Sequence, residues 1–171
     1  MSLFNNIVFR IVEKNDSIEL FNIWTDHEVT KYTMINNINS NEDCINRIER
    51  QLKWLKNDSI GPYVIIRNNN IIGYCGGTKE ENNEYEIFYH LSKDNWNKGI
   101  GTIVVNELLN IGFKSKKANK IRAKVVIDNI VSYKVLEKNG MKRIRKEEKI
   151  FEKNGKKYDM YIYEIDKNSL S

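Results

Sequence analysis

Between Glu84 and Leu91 the chain alternates in period two. Glu84, Glu86, Phe88 and His90 fall on one face, and Tyr85, Ile87, Tyr89 and Leu91 on the other. That is the pattern of a strand. Similar reasoning divides the rest of the chain. Ile7 to Glu13 has strand character, and a polar turn at Asp16 and Ser17 opens a helix through Ile18, Leu20, Phe21 and Trp24. Ser40 begins S-N-E-D, a capping box with Asp43 in the acidic place. The helix behind it puts Ile45, Ile48, Leu52 and Leu55 on one stripe, near the 3.6 period. Pro62 to Arg67 reads as a strand, Asn68 to Asn70 as a turn, and Ile71 to Thr78 as the antiparallel partner. After Leu91 a polar loop leads into a helix carrying Ile103, Val104, Leu108 and Ile111. Ile121 to Asp128 is another strand. Asn129 opens a helix through Val131, Val135 and Leu136 that stops at Asn139-Gly140. Two last strands flank Asn154-Gly155, a two-residue hairpin signal. The order β-α-α-β-β-β-α-β-α-β-β predicts a mixed α/β sheet protein.

Composition narrows the classes. The chain has 171 residues, the length of one ordinary domain, and one proline, with no linker-like stretch. Hydrophobic residues make up 40% and aromatics 11%, too many for a disordered chain. Lys and Arg number 28 against 23 Asp and Glu, a net charge of +5. Asn, Ile and Lys are abundant while Ala occurs only at Ala118 and Ala123. Codon bias explains that skew, so much of the positive surplus carries no message. No apolar run approaches a membrane span, and the start M-S-L-F-N-N-I-V-F-R lacks the features of an export signal. Cys44 and Cys75 lie far apart without metal-ligand spacing. The expectation is a cytoplasmic protein with reduced thiols, no metal and no membrane.

The segment that carries chemistry is Trp96 to Thr102, W-N-K-G-I-G-T, between a strand and a helix. Its two glycines allow close backbone approach and left-handed dihedrals. The helix start behind them presents unpaired N–H groups and the positive end of the dipole. Such a junction suits a phosphate or pyrophosphate, although an ordinary tight turn would read the same. A Walker loop is absent, and Val104 stands where a dinucleotide fingerprint needs a third glycine.

What remains resembles the GCN5-related N-acetyltransferase (GNAT) family. Its signature at this junction is Gln/Arg-x-x-Gly-x-Gly/Ala; Gly99 and Gly101 match, and Trp96 replaces the first position. The branch of ribosomal-protein N-terminal acetyltransferases commonly has Trp there, in a pattern like E-I-G-Y-x-L-x-x-x-x-W-x-x-G. This chain reads E-I-F-Y-H-L-S-K-D-N-W-N-K-G from Glu86 to Gly99. D-N-I-V-S-Y-K-V-L-E-K-N-G-M, from Asp128 to Met141, resembles the branch's N-x-x-S-x-x-x-L-E-K-x-G-F. W-T-D-H-E-V-T-K-Y, from Trp24 to Tyr32, resembles its W-x-D-x-E-V-x-K-Y, and the stretch ending at Tyr161 its last hairpin. Together these cover nearly the whole chain.

The resemblance implies one N-acetyltransferase domain over 1–171 with the GNAT fold, a mostly antiparallel sheet flanked by helices whose splayed strand pair holds CoA. It implies acetyl-CoA as cosubstrate and direct transfer to a primary amine. The pyrophosphate cradle would be the backbone of Asn97, Lys98, Gly99, Ile100, Gly101 and Thr102, with Lys98 adding charge or remaining a solvated lysine. Pantetheine would pair with the strand ending at His90 and Leu91, where an amide would polarise the thioester carbonyl. Glu86 is the candidate base, or orders a relay water or the substrate ammonium; Glu84 shares its face as the fallback. His90 shares the face too, as a shuttle or as a structural histidine. Asn129 would bond CoA or simply cap its helix. Ser132 would contact the CoA sulfur and could protonate the leaving thiolate, because the tyrosine many family members place seven residues after the Asn is Leu136 here.

The acceptor would be framed by Trp24, His27, Glu28 and Tyr32, with core packing as the other reading of Trp24 and Tyr32. A protein N-terminus is the expected acceptor. A polyamine or aminoglycoside, and a CoA-binding module without turnover, remain open as alternatives, as does a homodimer. A nucleic-acid partner is suggested only by Lys114, Lys116, Lys117, Lys120, Arg122 and the run 142–149, with no groove-reading or stacking motif beside them.

Overall fold

The computed structural model describes residues 6–170; the ends of the expected 1–171 domain, including the first residues of the start weighed as an export signal, lie outside them. Seven strands form one sheet in the order β1-β2-β3-β4-β5-β7-β6. They are β1 Ile7–Ile11, β2 Ile60–Arg67, β3 Asn70–Lys79, β4 Glu84–Leu91, β5 Lys120–Val126, β6 Lys142–Lys153 and β7 Lys156–Asp166. Every neighbouring pair is antiparallel except β4 and β5. The helices are α1 Ser17–Thr25, α2 His27–Thr30, α3 Asn41–Leu52, α4 Ile100–Asn110 and α5 Ile130–Lys138. This is the mixed, mostly antiparallel sheet with one parallel pair and flanking helices, as the resemblance implies.

Local chemistry sets the turns. Asn68 and Asn69, and later Asn154 and Gly155, all take positive φ. Those are the conformations a two-residue hairpin turn with the right twist requires. Ser40 caps α3 by accepting from the Asp43 N–H at 3.2 Å, and the Asp43 carboxylate accepts from the Asn39 N–H at 2.9 Å. The box therefore closes one residue earlier than the sequence pattern predicts.

Two differences from the sequence reading follow from the backbone. Asp26 is extended and its side chain accepts from the Glu28 N–H at 2.9 Å, so a separate helical turn, α2, starts there. The α3 stripe stops at Leu52; residues 53–57 tighten into a 3-10 turn, and Leu55 is left 42% exposed.

The sheet separates two hydrophobic clusters. One joins α4 and α5 to the sheet through Val104, Leu108, Leu136, Ile121 and Tyr85. The other joins α1 and α3 through Leu20, Trp24, Ile48, Val64 and Tyr74. Trp96 packs against both. Cys44 and Cys75 are free thiols, both buried. Burial pushes the Cys44 thiol up to about 11. No described helix is long and apolar enough to cross a membrane.

Candidate active site

The site begins where the parallel pair comes apart. β4 and β5 are paired at Glu84↔Lys120, Tyr85↔Ile121 and Glu86↔Arg122, and the register ends there. β4 itself stays paired with β3 through Leu91↔Gly73. So from Ile87 onward β4 has one satisfied edge and one open edge. The Ser92 N–H donates to the Ile72 carbonyl at 2.8 Å, which turns the even-numbered peptide groups towards β3. By alternation the peptide groups of Ile87, Tyr89 and Leu91 face the open side.

This corrects part of the expectation. The peptide group of His90 is directed at β3, not at the split. Its side chain is also unavailable. The ring is buried and its Nε2 accepts from the Trp24 indole N–H at 2.8 Å. Burial, helped by the Arg47 charge, pushes the imidazole down to about 3, so it is neutral near pH 7 and carries no shuttled proton. Leu91 keeps its place at the split, but its carbonyl accepts from the Trp96 indole N–H at 2.9 Å. That bond ties the glycine loop back to the end of β4, which gives Trp96 a structural task.

A cavity of about 420 Å³ opens from the split. Its lining includes Glu86, Tyr89, Lys124, Asn129 and Ser132 together with Tyr32, Met34, Arg47, Ile150 and Phe151, and the edge of the His90 ring. Glu86 lies at the last paired rung. Its Oε2 is 2.8 Å from the Lys124 ammonium, which orients the carboxylate at the cavity wall. Glu84, one rung earlier, is differently placed. It meets Lys120 at 3.8 Å and Arg122 at 3.3 Å, while Arg122 donates to Glu164 at 2.8 Å. That network clamps the paired part of β4, β5 and β7, and Glu84 does not line the cavity. It is a structural ion-pair partner, so the fallback role does not hold.

Asn129 caps α5; its side chain accepts from the Ser132 N–H at 3.3 Å. Both residues still border the cavity. The Ser132 hydroxyl lies 3.4 Å from the Tyr89 hydroxyl, long for a pair of hydroxyls. Tyr89 has no role in the sequence reading, which places it on the strand face opposite Glu86. It reaches the cavity because β5 is missing from that side of β4. Burial raises its phenol pKa, so it stays protonated and can donate.

The glycine loop behaves as its residue types require. Gly99 has φ +75 and is the N-cap of α4, and a side chain there would meet nothing within 4 Å. Its need is the left-handed backbone, not space. Gly101 is a matter of approach; a Cβ would meet the Tyr89 ring at 3.3 Å. Ile100 buries its side chain in the core, so it can offer a ligand only its N–H. The first turn of α4 has no acidic residue, and Asn97 and Lys98 are exposed beside it. Free amides, a dipole end and an ammonium fit a pyrophosphate, and the open edge of β4 fits the amide-bearing arm of CoA. Among the described residues no three His, Cys, Asp or Glu side chains are grouped to hold a metal.

The residues expected to frame the acceptor divide. Trp24 is 2% exposed, edge-on to Tyr74, and lies outside the cavity lining; it is core, not a substrate contact. Tyr32 lines the cavity and stacks edge-on against Tyr158. His27 and Glu28 line a separate pocket of about 250 Å³ on the far side of Tyr158. Lys153 donates to the carbonyls of Thr33 and Ile35, which pins the 32–35 segment to the last hairpin. Sequence reasoning passed over Arg47, Lys124 and Lys153, since their pattern is that of solvated basic residues.

The chain is similar to known proteins over most of its length. The acetyltransferase (GNAT) domain family matches residues 6–142. The chain is 30% identical over 169 residues to the uncharacterized N-acetyltransferase p20 of Bacillus licheniformis, covering 93% of this chain and 92% of that protein. Its fold is similar to that of RimL, a ribosomal L7/L12 α-N-protein acetyltransferase solved in complex with coenzyme A. The TM-score is 0.88 at 15% identity, over 96% of both chains. The ribosomal-protein-S5-alanine acetyltransferase of Vibrio fischeri gives 0.86 at 19% identity, over 98% of this chain and 96% of that one. With matching sequence over most of its length and a split sheet suited to CoA, this chain belongs to the GNAT family and is an acetyl-CoA-dependent N-acetyltransferase.

Proposed function

We propose that the acceptor is the α-amine of a protein or peptide N-terminus, and that Glu86, Ser132 and Tyr89 do the proton work. Acetyl-CoA supplies an electrophilic carbonyl carbon and a sulfur that leaves readily. The open edge of β4 would hold the pantetheine amides, and an N–H of Ile87, Tyr89 or Leu91 would face the thioester oxygen. Glu86 would take a proton from the attacking amine, directly or through one water, as the C–N bond forms and the C–S bond breaks. Ser132 or Tyr89 would return a proton to the sulfur.

The observation that carries the acceptor class is the charge of the cavity. Among its lining residues Glu86 is the one acid, against the bases Arg47 and Lys124. A polyamine or aminoglycoside carries several positive charges and would meet more repulsion than attraction there. A peptide N-terminus brings a single amine. The mouth also favours a longer molecule, since Met34 and Ile150 line it at 72% and 48% exposure, apolar surface an emerging chain could cover. The test is an acetyl-CoA turnover screen against N-terminal peptides, spermidine and an aminoglycoside. Peptides are expected to be acetylated well above the polycations. Faster turnover of the polycations would overturn the assignment.

A further inference from the structure

We infer that Arg47 is an anion anchor in the cavity, and that it pairs with a carboxylate carried by the first residues of the acceptor peptide. The inference rests on reading this cavity as the acceptor site.

Arg47 projects from α3 one turn before Gln51, and both line the cavity. Its guanidinium lies 5.3 Å from the Trp24 ring centroid. That cation–π contact holds the group against the Trp24 ring and does not neutralise its charge, so its N–H donors remain to be met by a partner. No partner is present: the Arg47 side chain makes no hydrogen bond or ion pair with any described residue. Its Nε is the one fully buried side-chain polar atom among them without a hydrogen bond. No carboxylate compensates from nearby. The groups that act on it are Tyr74, Arg50 and Cys44, and burial lowers its pKa. Glu86, the acid of the cavity, is held by Lys124 at 2.8 Å.

A half-buried guanidinium without a counter-charge is costly in the free protein. The cost is recovered when an anion arrives, and the planar fork suits a carboxylate in two-point contact. Beyond Tyr158 the neighbouring pocket is also net positive, with Lys31, Lys153 and Lys156 against Glu28. An acidic peptide leaving the mouth would meet this surface next. A free amino acid could offer Arg47 its own carboxylate, but it would make no use of that second pocket or of the exposed apolar mouth.

The experiment compares matched acceptors differing in one charge: peptides beginning Ser-Asp and Ser-Asn, peptides beginning Ser-Glu and Ser-Gln, and glycine against glycinamide. Each is measured for turnover, and for calorimetric binding to the CoA-loaded protein. Wild type is expected to favour the acidic peptides over their amides about 10- to 100-fold, mostly in KM and binding. Arg47→Gln should bring that ratio near one, Arg47→Lys should leave it intermediate, and both should keep acetyl-CoA affinity and circular dichroism unchanged. Equal binding of acid and amide by wild type, or a ratio that survives Arg47→Gln, overturns the anchor. A preference seen only for glycine over glycinamide overturns the peptide source. The two readings fail separately. Peptides that bind through Arg47 without being acetylated sink the N-terminal acceptor and keep the anchor; peptides acetylated without charge preference do the reverse.

Discussion

The Trp24 indole N–H donates to His90 Nε2 at 2.8 Å, joining residues 66 positions apart. An imidazole nitrogen that accepts a hydrogen bond cannot carry a proton, so the ring is neutral with its hydrogen on Nδ1. The contact closes the α1 side of β4. It leaves the His90 ring, on a strand that borders the cavity, without a proton to shuttle near pH 7.

His90 should make stability fall with acid. Its folded pKa is about 3 against an ordinary value of 6.5. Between those values the unfolded chain binds the proton and the folded one does not. Stability is therefore complete above about pH 6.5 and is lost progressively towards pH 3, by on the order of 4 kcal/mol in full. His90→Gln can still accept from Trp24 but does not titrate. Denaturant unfolding between pH 6.5 and 5 should show a flatter slope in this variant than in wild type. An unchanged slope would assign the acid sensitivity to other groups.

Glu86→Gln should lower kcat by roughly 10²- to 10⁴-fold, the range for a lost general base, and leave acetyl-CoA affinity within about threefold. The amide cannot accept the ammonium proton, yet it preserves the shape of the wall beside Lys124. A variant whose kcat matches wild type would move the base elsewhere.

Ser132 and Tyr89 should substitute for one another. Their hydroxyls are 3.4 Å apart and border the same space, so either can supply the sulfur with a proton. Ser132→Ala and Tyr89→Phe should each cost less than about tenfold in kcat, because a thiolate leaves readily. The double variant should cost more than the product of the two. Simple multiplication of the single effects would rule out shared duty.

Gly99 separates backbone strain from charge. Gly99→Ala meets no neighbouring atom and should lose only about 1–2 kcal/mol of stability to its left-handed φ. Gly99→Asp adds a negative charge beside the α4 amides and should weaken acetyl-CoA binding at least about tenfold by calorimetry, with circular dichroism unchanged. If the aspartate variant binds as tightly as wild type, the pyrophosphate lies elsewhere.

Much of this architecture is written locally. The turns at Asn68-Asn69 and Asn154-Gly155, the caps at Ser40 and Asn129 and the stop at Gly140 depend on residues a few positions apart, so each can be read from a short window. The glycine loop is legible for the same reason. Gly99 answers a dihedral requirement, and the amides behind it belong to a helix that the period of Val104 and Leu108 already announces.

By itself the sequence determined the alternating strand, the helix that follows it and, through residues in family register, the acetyltransferase fold. It placed Glu84 and Glu86 on one face, with Glu86 as the candidate base through family register and Glu84 as the fallback. Only the tertiary structure separated their surroundings. The β4–β5 register ends one rung after Tyr85, so Arg122 and Glu164 enclose Glu84 in the paired region while Glu86 stands at the opening. The same long-range choices bury Trp24 against His90, bring Tyr89 to Ser132 and leave Arg47 without an acid. Period two is a property of one strand; where pairing stops, and which charges are met there, depends on elements distant in the chain.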